Sequence, residues 1–411
     1  MKTLIVALPL FNAGMAVEAY RLKSRSGQNL RGMMDDNLSV SDAILTPGLD
    51  LVKAMGVEPL AGDCPLFVDI NEYHLLMGIP MVLGITPEKL VCELSGDIKP
   101  DDAVITKCRE LKELGYGIAV RGFLEGNIEN PLFEFVDYII VNSGEYEIND
   151  KLKEVIKGLS KLKKIVISGI PDMDLFNSLT GLPNTLFTGH FYNQPITKGV
   201  SEISPIKVNA LTLLRQINQE DFDLSDIAGT VGRDPSLSIS LLRFINTVMP
   251  RKINSIRNAV AILGQKEVKR WATAAISIQL AEDKPNEISK LSLIRARFAE
   301  NLAKAFNMGI FAPSLFIMGL FSLLDVILDM PMKEAAKEVA FDENITRALV
   351  DEAGDFYKVL RFIYAYEHAS WDEVAIIMVQ NDIDLEEITA AFVDALAWYK
   401  GLLDAIHGEG E

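Results

Sequence analysis

The sequence predicts an α/β barrel in the first half of the chain and an all-helical second half. Two observations carry this. Up to about residue 195, short β-branched runs alternate with helical segments at the spacing of strand–helix units, in a number that suits a closed barrel better than an open sheet. Beyond Ile206, apolar residues recur at helical spacing throughout. Pro195, Gly199, Ser201, Ser204 and Pro205 cluster between the two regimes, so the expected division is 1–198 for the barrel and 199–411 for the helical part.

The chain opens on two strands, Thr3 to Leu10 and Ala16 to Leu22, joined as a hairpin at Asn12-Ala13-Gly14. A helix is expected from Ser39 to Met55, then a strand Leu66 to Ile70, a short helix Tyr73 to Met77 and a strand Leu90 to Leu94. A helix Asp101 to Leu114, strands Gly117 to Val120 and Tyr138 to Val141, a Lys-rich helix Asp150 to Leu162 and a strand Lys164 to Ser168 follow. In the second half, Leu224, Ile227, Ala228 and Val231 form one helical stripe. Asp234 before Pro235 then marks a helix start, because the residue before proline leaves the α region and a carboxylate there accepts backbone N–H groups. Ser255 caps a third helix that Gly264 ends, Ser370-Trp371-Asp372-Glu373 reads as a capping box, Asp384 caps the last helix, and His407 to Glu411 should fray.

Composition narrows the function classes. The 411 residues carry a formal net charge of −17, with acidic residues in excess in both halves. Nucleic-acid binding usually needs a basic face, so that class is set aside. Cys64, Cys92 and Cys108 are too few and too scattered for a disulfide framework or a zinc knuckle, which fits a reducing cytoplasm. Two stretches imitate membrane signals. Met1 to Ala16 reads as a strand rather than a signal peptide, and Ile310 to Leu328 is broken by Pro313, Ser314, Ser322 and Asp325, so a buried core helix is expected and no membrane span.

Asp234-Pro235-x-Leu237, Leu241-Leu242-x-x-Ile245-Asn246 and Ala259-x-x-x-Leu263-Gly264 resemble the HDOD domain, a helical relative of the HD phosphohydrolases without their metal site. The first half resembles the EAL domain, a TIM-like barrel family that hydrolyses cyclic di-GMP. The resemblance implies two-metal chemistry, with divalent cations held by carboxylates and an amide. The residues at the matching positions of this chain depart from that pattern. In Ala19-Tyr20-Arg21-Leu22-Lys23-Ser24-Arg25 the signature Glu is Arg21, a reversal of charge; a second register would use Glu18 instead. Asp69, in Leu66-Phe67-Val68-Asp69-Ile70, stands for the metal-binding Asn, and Glu93 keeps its acid. The Asp-Asp-Phe pair of ligands becomes Arg121-Gly122-Phe123, the catalytic Lys falls at Ile140 and the following Asp at Asn142. The last acidic motif maps to Ser168-Gly169-Ile170-Pro171-Asp172 without its Glu, and Thr188 replaces the terminal Gln.

A cation beside Arg21 and Arg121 would meet repulsion of several kcal/mol at ~4 Å and an effective dielectric of about 20. No metal or cofactor is therefore expected. The two arginines are read as pairing with Glu93 or Asp69, in preference to forming a phosphate pocket. In the second half, Gly319-Leu320-Phe321-Ser322-Leu323-Leu324 places Ser322 and Leu323 where an HD enzyme has its His-Asp, and none of His74, His190, His368 and His407 has a His or Cys at ligand spacing. The sequence thus reads as a cytoplasmic, non-catalytic signalling adaptor working through an unidentified protein partner. Arg233, Arg243, Asn246 and Arg257 are the candidate contact residues. Cyclic di-GMP binding or residual hydrolysis, through Glu18, Asp69 and Glu93, is the less favoured alternative, and homodimerisation is left open.

Overall fold

A computed structural model describes residues 3–26, 48–122, 129–195, 197, 205–217, 219, 222–249, 252–339 and 341–407. The first part of the expected helix from Ser39, the loop residues Gly199, Ser201 and Ser204, Phe123, and the expected fraying of 408–411 lie outside them. The chain packs as two compact units: Met1–Gln194 with Ala365–Ala390, and Pro195–Tyr364 with Ala391–Glu411.

The first unit is a closed barrel in sequential strand order: β1 (Thr3–Phe11), β2 (Val17–Ser26), β3 (Leu66–Asp69), β4 (Leu90–Leu94), β5 (Gly117–Arg121), β6 (Tyr138–Asn142), β7 (Lys164–Ile170) and β8 (Thr185–Gly189). The hairpin expected at Asn12-Ala13-Gly14 makes β1 antiparallel to β2, and β2 through β8 run parallel. One residue from each strand fills the interior: Leu10, Ala19, Phe67, Val91, Ala119, Ile140, Val166 and Leu186. Side chains alternate along a strand, so the residue two positions on faces the same interior, one layer nearer the strands' C-terminal ends. That alternation positions the site. β8 and the preceding helix Met173–Leu179 are additions to the expected order.

β1 pairs with β8 only at Phe11–Phe187. Toward the start of the strand, the segment Ala365–Ala390 bonds to it instead. The Ile5 amide donates to Tyr366 Oη at 3.3 Å, and Thr389 Oγ1 donates to the Thr3 carbonyl at 3.1 Å. Tyr366 is fully buried, which pushes its phenol pKa up. This seam also corrects the histidine reading. His190, just after β8, packs at a tilt against His368 with ring centroids 3.8 Å apart, a contact that linear spacing does not reveal.

The second unit is helical. Asp234 caps the helix Pro235–Val248 as expected, accepting from the Ser236 and Leu237 amides, and its other oxygen accepts from Gln279. Ser255 caps the next helix, and Gly264 breaks it as expected. Gly264 takes φ +72° and ψ 171°, outside the helical region and open to glycine, and a further helix then runs on to Leu280. Ser370 sits at an N-cap without using its hydroxyl, so the expected capping box is not formed. Asp384 does cap, through the Glu386 amide. The apolar stretch Gly309–Leu328 is long enough to cross a bilayer, but 67% of its window is buried, and turn residues separate the helices Ala312–Leu320 and Leu324–Leu328. It is a core element of this unit.

Candidate functional site

At the C-terminal end of the barrel strands the interior layer above the apolar plug is polar. Arg21 stands two residues beyond Ala19, Asp69 beyond Phe67, Glu93 beyond Val91, Arg121 beyond Ala119, Asn142 beyond Ile140, Ser168 beyond Val166 and Thr188 beyond Leu186. The matched EAL positions therefore converge on one mouth, Ile140 and Gly122 excepted. Ile140 belongs to the apolar layer below and is 2% exposed. Gly122 follows Arg121 with φ +69°, on the turn leaving β5.

Arg21 and Glu93 form the centre of this layer. The Arg21 Nε donates to Glu93 Oε2 at 2.7 Å and its Nη2 to Oε1, a bidentate pair with side chains 7% and 2% exposed. Arg121 reaches the same carboxylate at 3.3 Å and holds both Asp69 oxygens at 3.3 Å. Burial disfavours both charges of the central pair, but the pairing outweighs it. Glu93 is held below the usual carboxylate range, chiefly by Arg21, and Arg21 is raised above its ordinary value by Glu93. Lys23, one step further along β2, was not singled out in the sequence although its parity matches Arg21. Burial, and then the neighbouring Arg21, draw it down to about 8.

The pairing expected for the two arginines is thus the one observed. Asn142 and Asp172 are also engaged internally. Asn142 donates to Glu145 and accepts from the Gly144 amide, both at 3.0 Å, while Asp172 caps the helix Met173–Leu179. Thr188 Oγ1 is buried without a hydrogen-bond partner among the described residues. Glu18, the alternative to Arg21, is exposed beside the hairpin turn, where it accepts from Asn12 at 2.9 Å. It lies three residues before Arg21, roughly 10 Å along the strand and away from the mouth. Among the described residues, no three His, Cys, Asp or Glu side chains converge to hold a metal ion. A divalent cation does not fit a layer whose central carboxylate is already spent on two guanidinium groups.

In the helical unit, Ser322 and Leu323 are buried at 4% and 2% exposure. The Ser322 hydroxyl donates to the Gly319 carbonyl at 2.7 Å and accepts from the buried Arg295 guanidinium at 3.0 Å, which also lies 4.8 Å from the Tyr364 ring centre. Sequence reasoning missed Arg295, since no local pattern distinguishes a buried arginine on an amphipathic helix. Of the candidate contact residues, Arg233, Arg243 and Arg257 are exposed. Asn246 is committed elsewhere: it donates to the Ile253 carbonyl at 2.9 Å and accepts from the Ile253 amide at 2.6 Å. Asn246→Ala should therefore cost about 1–2 kcal/mol in urea denaturation by unpinning the Ile253 backbone. Arg233→Ala should stay within about 0.5 kcal/mol of the parent. An unchanged midpoint for Asn246→Ala would remove the brace.

The HDOD domain family model matches residues 203–351. The chain is 26% identical to the uncharacterized protein YuxH of Bacillus subtilis over 98% of its own length and 100% of that protein. It is 24% identical to the cyclic di-GMP phosphodiesterase CdgJ of Vibrio cholerae over 96% of its length and 92% of that protein. An EAL domain protein from Listeria monocytogenes aligns in structure with 47% of this chain and 88% of its own, at 14% identity and a TM-score of 0.36.

Proposed function

We propose that this chain is an EAL-HDOD protein and that within cyclic di-GMP signalling it is a non-catalytic cytoplasmic adaptor that acts through protein contacts. The observation that carries this is the Arg21–Glu93–Arg121–Asp69 network. Hydrolysis of a phosphodiester by bound metals needs carboxylates free to hold cations and a hydroxide between them. Here two positive side chains occupy that layer and use its acids. The helical unit gives parallel support, since its Ser322–Leu323 pair offers no metal ligand of the His-Asp kind.

Calorimetric titration of cyclic di-GMP into the full chain with magnesium tests this. The expected result is no magnesium-dependent binding. Saturable binding that magnesium strengthens would overturn the loss of the metal site.

A second reading is favoured by the match to CdgJ along nearly the whole chain: a barrel that binds cyclic di-GMP as a sensor, or retains slow hydrolysis. It predicts magnesium-independent heat for binding alone, and Arg121, 37% exposed at the mouth, would be the first residue to substitute.

A further inference from the structure

Charge is unevenly placed along this acidic chain. Between residues 227 and 271 there are eight Lys or Arg and only Asp234 and Glu267 on the acidic side, in a protein of net charge −17. Asp234 is occupied with the Ser236 and Leu237 amides and with Gln279. Elsewhere in the helical unit basic side chains are neutralised locally: Lys207 by Asp283, Arg215 by Glu338, Lys284 by Asp329, and Arg297 by Glu300 and Asp394. Within the segment, Arg233, Lys252, Arg257 and Lys266 are exposed and have no carboxylate partner among the described residues. Lys269 and Arg270 do not add to this surface. Lys269 is half-buried, and Arg270 lies over the Phe316 and Trp398 rings.

Two large apolar side chains are exposed among these cations. Ile239 is 53% exposed, one helical turn before the exposed Arg243. Ile262 is 46% exposed and lies between Arg257 and Lys266. Single exposed apolar residues are ordinary, but these two lie on the stretches that carry Arg243, Arg257 and Lys266.

Resting on the adaptor reading above, we propose that the helices Pro235–Val248 and Ile256–Leu280 form the docking face of this protein, and that its occupant is an acidic, amphipathic helical segment of a partner protein. The exposed cations meet its carboxylates, and Ile239 and Ile262 meet its apolar stripe. A nucleic acid is the weaker occupant. An extended polyanion would find few exposed cations on a chain of net charge −17, and it would leave both isoleucines without apolar contact. The anionic membrane surface shares the first difficulty.

The test uses the full chain and a fluorescein-labelled helical peptide with glutamates on one face flanked by leucines, read by fluorescence anisotropy. Saturable binding is expected, weakening about tenfold or more as salt is raised from roughly 50 to 300 mM. The variant Arg243→Glu/Arg257→Glu/Lys266→Glu should weaken low-salt binding about tenfold or more. Ile239→Ser/Ile262→Ser, which keeps every charge, should weaken it as well. Circular dichroism checks that each variant is folded, and Arg→Gln with Lys→Gln replacements stand in if charge reversal prevents folding. The proposal is overturned by absence of peptide binding, by binding indifferent to both variants, or by tighter binding of single-stranded DNA or phosphatidylglycerol vesicles. These outcomes are separable from the adaptor reading, which fails on cyclic di-GMP turnover and not on this surface.

Discussion

Replacing Arg21 by alanine destabilises the barrel by about 3 kcal/mol or more at neutral pH, because removing one partner of a buried ion pair strands the other charge. Glu93 is 2% exposed and would keep Arg121, 3.3 Å away and 37% exposed, and the nearby charge of Lys23. The pH dependence follows from the direction of the Glu93 shift. Its pKa in the folded barrel lies below the ordinary value of 4.5, so the pair's contribution is present above that value and is lost as pH falls through the depressed one. In Arg21→Ala the carboxylate is desolvated with less compensation and its pKa rises. The variant's deficit should therefore shrink between neutral and mildly acid pH, as Glu93 takes up a proton more readily than in the parent. Urea denaturation at the two pH values measures this. Arg21→Met/Glu93→Met is the control and should recover most of the loss, since apolar residues of similar volume replace buried ion pairs at little cost. A neutral Arg21→Ala would mean that the pair does not organise the mouth.

Gly319→Ala is the second large effect, expected at about 3 kcal/mol, the upper part of the usual overpacking range. A Cβ on Gly319 would lie 2.5 Å from the Arg295 carbonyl oxygen and 2.9 Å from Ala296 Cα. These are backbone atoms, so the helices Asn286–Leu302 and Ala312–Leu320 would have to separate, drawing Arg295 away from Ser322. Ser322→Ala removes only the hydroxyl and should cost about 1–3 kcal/mol, because it leaves the buried guanidinium short of one acceptor. Thermal denaturation of both variants compares them. A Gly319→Ala protein that melts with the parent would show that the two helices yield without penalty.

Much of this architecture is legible in single residues. Asp234 before Pro235 announces both a helix start and its cap, because proline steers the preceding residue and a carboxylate there has only nearby amides to accept from. The strand Leu90–Leu94 and the hairpin at Asn12-Ala13-Gly14 follow from β-branched runs bounded by turn residues. β8 escapes that reasoning, as Thr185–Gly189 is five residues long, all but its last buried, and shows no alternation. At the mouth, strand parity identifies Arg21, Asp69, Glu93 and Arg121 as neighbours, and charge then pairs them. Lys23 shares that parity and was overlooked for want of a motif. Contacts between distant parts of the chain were out of reach: Tyr366 on Ile5 and His368 on His190 are set by packing, which no local spacing encodes. Asn246 shows the converse, a polar residue that reads as a contact candidate until the loop that returns to it is seen.

The account rests on a barrel mouth whose acids are committed to arginines, and its most direct test is product analysis. Cyclic di-GMP is incubated with the full chain and excess manganese, and the mixture is resolved by anion-exchange chromatography. The predicted result is intact cyclic dinucleotide, with no linear dinucleotide above a protein-free blank. Manganese-dependent formation of the linear product, abolished by Glu93→Gln, would contradict it.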